Sequence, residues 1–374
     1  MKLLFIIIAI LILIISFILL LKGEGKAVKL LNENSKPYEN GISTREKVLL
    51  NGVEQYIFIV GKNINNPILL FLHGGPGFPE LPLACNKGTD KQLEDKFTVC
   101  YWEQRGAGLS YTSKEDIKNL TVEEIVDNGI ELSDYLRKRF NQEKIYLMGH
   151  SWGTFLGIKI LWKKPEYFKA YFGIGQISDQ TLSESIGYVK LLESAEKKKN
   201  NIVLKRLRKI NINALNFLDI GYLELMYKRW LNKGNIGIQD NQFRYILKVV
   251  KDRILFSGYS FLDTFKYIKG MYYSSKYILP LIYDENLMQK YYEFEMPMYF
   301  FHGIYDNLVS YELAYDYYEK IKAPRKDFFT FYLSEHSPQV EEAERFTNKI
   351  FSLLDKLENN VEDIRDKNEE KYSN

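Results

Sequence analysis

The sequence predicts an α/β chain built on a mostly parallel sheet with helices on both faces, a helical cap inserted late in that sheet, and a transmembrane helix at the N-terminus. Three observations predict it. Short apolar runs alternate with helix-length segments, the pattern of strands buried on both faces of a parallel sheet. Residues 177–297 break the rhythm, with Lys, Tyr and Leu at helical spacings and few strand signals. The chain also opens on a run of 19 residues, 3–21, with no charge and Ser16 as its one polar side chain.

As a helix this run reaches about 28 Å, enough to span a bilayer, so residues 1–22 read as an anchor. A cleaved signal peptide has a shorter apolar region, about 7–15 residues, and ends in a small-residue site. Here Leu20-Leu21-Lys22-Gly23-Glu24 follows, with no cysteine nearby to carry a lipid. Lys22, Lys26, Lys29 and Lys36 follow the helix while only Lys2 precedes it, and the positive-inside rule taken alone would keep the body in the cytoplasm. A two-residue tail ahead of an apolar helix is also the form of an export signal, which carries the downstream domain across. The body is therefore expected outside the cytoplasm.

Residues 23–43 are polar, without a sustained period, and read as a linker. Residues 44–176 form the first part of the α/β core. They open on two strand-like runs around Asn51-Gly52, a pair that tolerates the positive φ of a type I′ hairpin. Apolar runs at 68–72, 97–102, 145–148 and 171–174 follow as strands. After the cap at 177–297, residues 298–357 supply the second part of the core, with strands at 298–302 and 328–333, and 358–374 is a charged tail.

Fifty-one Lys and Arg against 48 Asp and Glu leave a net charge of +3, too little to gather nucleic acid, so no such partner is expected. Cys85 and Cys100 are too few for a disulfide framework and lack zinc-site spacing, which leaves one disulfide or two thiols open. Seven cations between Lys197 and Lys209 read as a solvated helix face, or as a patch resting on anionic lipid beside the anchor.

Chemistry concentrates in Gly149-His150-Ser151-Trp152-Gly153, a Gly-x-Ser-x-Gly pattern preceded by the strand 144–148 and followed by a helical pattern. That context makes Ser151 a nucleophile lifted out of a sharp strand-to-helix turn, rather than a turn serine. A hydroxyl needs a base, and the chain has His73, His150, His302 and His336. His150 sits inside the turn, His73 belongs to a glycine loop and His302 closes a strand. His336, in a loop after the last strand, is left as the base. Asp306 follows the strand 298–302 and completes the order Ser, Asp, His; Glu335 is its rival but adjoins His336. Oxyanion donors are expected at the Trp152 N–H and in the loop His73-Gly74-Gly75-Pro76-Gly77, through Gly75.

Three motifs give the chain a family resemblance: His73-Gly74-Gly75-Pro76-Gly77, Trp102-Glu103-Gln104-Arg105-Gly106-Ala107-Gly108-Leu109-Ser110 and Gly149-His150-Ser151-Trp152-Gly153-Thr154. With Asp306 and His336, they resemble the α/β hydrolases of the prolyl iminopeptidase group from about residue 44 to 357. The resemblance implies an α/β-hydrolase fold and hydrolysis of amide or ester bonds without cofactor or metal. In the peptidase members it implies release of an N-terminal proline, the free amine held by cap carboxylates. The sequence departs from that pattern at Glu103, where the family usually has Asp, at His150, where strict peptidases often have Gly, and at Trp230, which Leu231 follows instead of Glu. Asp179, Glu184, Glu193 and Glu224 are other cap acids that could meet an amine. The expected substrate is a small molecule or short peptide. An esterase without aminopeptidase activity is the alternative, and a non-catalytic ligand-binding protein on the same fold a remote one.

Overall fold

Asn51 and Gly52 take φ of 46° and 78°, so the expected hairpin forms, pairing β1 (Ile42–Leu50) with β2 (Val53–Gly61) in antiparallel register from Leu50↔Val53 outward. The computed structural model describes residues 12–13, 17, 23–84, 91–209, 252, 256–306 and 308–359. Six further strands complete an eight-stranded sheet: β3 (Ile68–Leu72), β4 (Thr98–Glu103), β5 (Ile145–His150), β6 (Phe168–Ile174), β7 (Met298–Gly303) and β8 (Lys326–Phe331). Their order is β1-β2-β4-β3-β5-β6-β7-β8, antiparallel through β2 and β4 and parallel from β4 to β8. The last strand starts and ends two residues earlier than the apolar run suggests. β7 stops at Gly303, whose partner is Phe331, so Tyr332 and Leu333 have no strand to pair with and stand exposed.

Helices cover both faces. In chain order they are α1 (Leu81–Ala84), α2 (Lys114–Asn119), α3 (Val122–Arg139), α4 (Trp152–Lys163), α5 (Gln180–Lys197), α6 (Asn201–Leu207), α7 (Phe261–Tyr277), α8 (Leu287–Lys290), α9 (Tyr311–Lys320), α10 (Pro338–Glu341) and α11 (Ala343–Glu358). Alternate residues of each central strand enter two separate apolar clusters. Leu70, Leu72, Trp102 and Leu147 pack with Val126, Leu132 and Phe155 of α3 and α4. Leu69, Phe71, Tyr101 and Met148 pack on the other side with Phe346, Ile350 and Leu354 of α11. This period-two division explains why the strands read as unbroken apolar runs. Glu358, expected at the head of the tail, closes α11 and accepts from Tyr146 Oη at 2.5 Å and Lys169 Nζ at 3.0 Å. The rest of the tail, 360–374, lies outside the described residues.

Between β6 and β7 the described residues hold helices and no strand. The basic run lies at the end of α5 and in α6, with Lys197, Lys198, Lys199 and Lys205 exposed and Arg208 3.7 Å from Glu196. The segment 23–43 is not the free tether its polarity suggests. Val28 and Leu30 pack against the core, the Lys26 N–H donates to the Ser257 carbonyl at 3.0 Å, and Ser43 Oγ donates to the Val28 carbonyl at 2.5 Å. Two apolar side chains and three backbone bonds, the third from Arg45 to Gly25, are reason enough for it to dock. Of the expected transmembrane run, Ile12, Leu13 and Phe17 are described; they are helical and exposed, and the remainder lies outside the described residues. Among the described residues no helix is long and apolar enough to cross a membrane. Cys100 is a free thiol buried in β4, where burial pushes its pKa up, and Cys85 lies outside the described residues.

Candidate active site

Ser151 sits between β5 and α4 with φ 53° and ψ −119°, a left-handed conformation that costs a residue with a side chain about 1–3 kcal/mol and lifts it clear of the strand. The flanking glycines make the turn fit. A Cβ on Gly149 would stand 2.6 Å from the Gly153 carbonyl oxygen, and one on Gly153 would run into the Leu72 carbonyl of β3. The Ser151 N–H donates to the Ile174 carbonyl at the end of β6, at 2.8 Å, which fixes the turn to the neighbouring strand.

Asp306 and His336 come together although 30 residues separate them: His336 Nδ1 lies 2.7 Å from Asp306 Oδ2. Asp306 is fully buried in the loop after β7. Its Oδ1 accepts the N–H groups of Leu308 and Val309 at 2.9 and 3.0 Å, and His302 Nε2 lies 3.2 Å from Oδ2. Burial alone would raise its carboxyl, but the facing His336 and the donors from both histidines hold it far below the usual carboxylate range. The His336 ring rests against Gly175, the residue after Ile174. A Cβ there would be 3.2 Å from His336 Cε1, and Gly175 has φ 58°. The end of β6 thus holds the Ser151 backbone with one residue and the His336 ring with the next.

Gly74 closes the site from the other side, where a Cβ would lie 3.3 Å from that of Ser151. Gly75 and Gly77 take φ of 114° and 90°. The N–H groups of Gly75 and Trp152, the expected oxyanion donors, have no acceptor among the described residues. Gln104 locks this loop to the turn: its Oε1 accepts from Trp152 Nε1 at 2.8 Å, and its Nε2 donates to the His73 carbonyl at 3.1 Å. His73 Nδ1 donates to the Gly74 carbonyl at 2.8 Å, and burial lowers its pKa to about 4, so it stays neutral as a structural histidine. Helix α7 lies on the glycine loops through its small residues. Gly77 faces the Gly270 backbone, and Ser274 Oγ donates to the Gly106 carbonyl at 3.2 Å.

Sequence reasoning missed several contributors. His302 is the second histidine on Asp306, sharing its Nε2 hydrogen with the Val309 carbonyl at 3.2 Å. His150 faces Glu80 with one ring nitrogen and the His336 carbonyl with the other, at 3.3 and 3.2 Å. Glu103 is buried; its carboxylate accepts from Tyr259 Oη and the Leu109 N–H, each at 2.5 Å, and burial pushes its pKa up to about 7. Of the four cap acids, Asp179 is engaged by the Leu182 N–H and Asn286 Nδ2, Glu184 is buried and accepts from Gln180 Nε2, and Glu193 is exposed. Glu224, Trp230 and Leu231 lie outside the described residues.

A family model described as the alpha/beta hydrolase fold matches residues 67–218. The chain is 30% identical over 314 residues to the probable aminopeptidase YbaC of Bacillus subtilis, spanning 84% of this chain and 97% of that protein. It is 36% identical over 122 residues to the proline iminopeptidase of Clostridium botulinum, spanning 31% of this chain and 38% of that protein. Among solved structures, a proline iminopeptidase-related protein from Thermus thermophilus superposes with a TM-score of 0.56 at 16% identity, covering 84% of this chain and 98% of that one. The Mycobacterium smegmatis proline iminopeptidase gives 0.55 at 15%, covering 85% and 100%; at such identities what is shared is the fold. The sheet order, the turn at Ser151 and this similarity along nearly the full length of the probable aminopeptidase YbaC agree, and the chain belongs to the α/β hydrolases, in their proline iminopeptidase-like group, and is a hydrolase.

Proposed function

We propose that Ser151, His336 and Asp306 act as a catalytic triad and that the enzyme cleaves an amide bond through an acyl-enzyme, releasing the N-terminal residue of short peptides, proline foremost. The observation that carries the triad is the 2.7 Å contact between His336 Nδ1 and Asp306 Oδ2 beside the turn that presents Ser151, and the similarity to the probable aminopeptidase YbaC supports the choice of substrate. With its Nδ1 hydrogen on Asp306, His336 has Nε2 free to take the Ser151 proton as Oγ attacks the carbonyl. Asp306 stabilises the imidazolium, and the Gly75 and Trp152 N–H groups receive the oxyanion, each such donor contributing about 3–4 kcal/mol to the transition state. His336 then protonates the leaving amine, and water clears the acyl-enzyme by the same steps in reverse.

An esterase without aminopeptidase activity is the second reading. It is favoured by Leu231 after Trp230 and by the engagement of both Asp179 oxygens. The two separate on kcat/KM of the full-length chain in detergent, measured on proline p-nitroanilide with free and acetylated amine and on p-nitrophenyl acetate. Preference for the free amine establishes the aminopeptidase, and turnover of the ester alone establishes the esterase. Turnover or fluorophosphonate labelling that survives Ser151→Ala overturns both, and their complete absence from the wild type leaves the ligand-binding alternative.

We propose further that residues 3–21 form a single-pass anchor with the hydrolase body outside the cytoplasm, supported by 19 consecutive residues without charge. A membrane-impermeant protease added to intact cells should degrade the body; protection would put it inside.

A further inference from the structure

His150 and Glu80 stand outside the triad, yet both reach the loop that carries His336. Glu80 is buried in the segment after the glycine loop. Its Oε1 accepts from Gln339 Nε2 at 3.0 Å, and its Oε2 lies 3.3 Å from His150 Nδ1. His150 Nε2 lies 3.2 Å from the His336 carbonyl and 3.4 Å from Ser337 Oγ, and the two imidazole rings are 5.2 Å apart. One ring nitrogen therefore faces a carboxyl group and the other a carbonyl, and a doubly protonated imidazole satisfies both as acceptors.

We propose that His150, held as an imidazolium by Glu80, is a positioning residue for His336: it holds the His336 carbonyl and the Ser337 hydroxyl while Glu80 holds the Gln339 side chain, and together they clamp the loop that carries the base. The inference rests on the triad reading. The groups facing His150 are Glu80 behind the glycine loop, Gly74 and the neutral His73 within it, the His336 carbonyl and Ser337 ahead of α10, and the Asp306 carboxylate at longer range. Burial alone would strip the proton from His150, but Glu80, the His336 carbonyl and Asp306 outweigh it and raise its pKa. The clamp joins the serine turn to the histidine loop, because His150 precedes Ser151 by one residue. A shift in that loop is costly, since misplacing a catalytic group by about 1 Å loses roughly 100-fold in rate.

A positioning role leaves a signature that bulk packing lacks, a loss in kcat at nearly constant KM. The test measures kcat and KM for p-nitrophenyl acetate on full-length His150→Asn, Glu80→Gln and the double variant, with His336→Ala alongside. Each single variant should lower kcat at least roughly 10-fold with KM within about 2-fold, and the double should be no worse than the worse single. A kcat within about 2-fold of wild type, a change in KM alone, or multiplicative losses in the double variant would overturn the clamp. If His150→Asn fails to fold, Gln339→Met, which removes one bond to Glu80, decides; kcat should fall, and an unchanged value overturns the proposal. His336→Ala keeps the two readings apart. Activity surviving in it refutes the triad and the clamp together, whereas a dead His336→Ala beside a fully active His150→Asn refutes the clamp alone.

Discussion

His302 Nε2 lies 3.2 Å from the Asp306 oxygen that also receives the His336 Nδ1 hydrogen, so one buried carboxylate oxygen holds two imidazoles. The other oxygen takes two backbone N–H groups, and the carboxyl of Asp306 is ionised far below its ordinary range. A carboxylate with four donors cannot swing, and it dictates which His336 nitrogen carries the hydrogen.

Asp306→Asn should therefore keep the fold and lose the reaction. Its amide oxygen can still accept from Leu308 and Val309, but the NH2 then faces His336 Nδ1 and forces the hydrogen onto Nε2, where it blocks the Ser151 hydroxyl. The expected loss in kcat is about 10,000-fold with KM nearly unchanged. A kcat within about 10-fold of wild type would remove Asp306 from the mechanism.

Gly175→Ala tests how tightly the ring is held. Alanine at φ 58° costs about 1–2 kcal/mol, and its Cβ would stand 3.2 and 3.3 Å from His336 Cε1 and Nδ1, so the ring must give by a few tenths of an ångström. Thermal unfolding should show that loss, and kcat should fall roughly 10- to 100-fold because the contact to Asp306 opens. A destabilised variant with undiminished kcat would mean the ring settles elsewhere without harm.

Glu103 gives the protein a pH dependence of stability with a defined sign. Burial raises its carboxyl from 4.5 to about 7, so the folded state binds this proton more tightly than the unfolded chain. The linked stability is complete at acid pH and is lost as pH rises from about 4.5 through about 7. Glu103→Gln cannot titrate yet can still bond Tyr259 and Leu109. Relative to wild type it should gain about 3 kcal/mol between pH 4 and pH 8. A gap in Tm that is flat across that range would show the carboxyl to be unperturbed.

The parts of this molecule legible from sequence are those set by local chemistry or continuous burial. Asn51-Gly52 announces its turn, the runs at 68–72 and 145–148 announce strands covered on both sides, and Ser151 lies in a pattern whose glycines have steric reasons. Chain order and strand ends confine Asp306 and His336 to the loops that follow β7 and β8. What stayed hidden depends on partners far away in the chain. Glu80 meets His150 across 70 positions and Gln339 across 259, and nothing beside either residue signals the other. Gly175 looks like any glycine after a strand until the His336 ring is seen against it. Residues 23–43 have the composition of a linker, and the two apolar side chains that dock them, Val28 and Leu30, are too few to set a period.

Arg45 is the pin in that docking. Its guanidinium donates to the Gly25 carbonyl at 2.9 Å and to Asp263 Oδ2 at 3.0 Å, joining β1, the N-terminal segment and the start of α7. Asp263 also takes the Ser260 N–H at 3.0 Å in the capping box of α7, so it keeps a partner at the helix start when Arg45 is removed. The side chains of Arg45 and Asp263 are 21% and 12% exposed, which discounts the pair below a buried one, and Arg45→Met should cost about 1–2 kcal/mol. Lys47→Met is the matched control. Its partner Glu54 lies at the same 3.0 Å, but the pair is 51% and 65% exposed, so its loss should leave Tm near wild type. Limited proteolysis should cut within residues 23–43 faster in Arg45→Met than in Lys47→Met, while kcat on p-nitrophenyl acetate stays near wild type in both. Equal cleavage rates in the two variants would mean that Val28 and Leu30, rather than the guanidinium, hold the segment down.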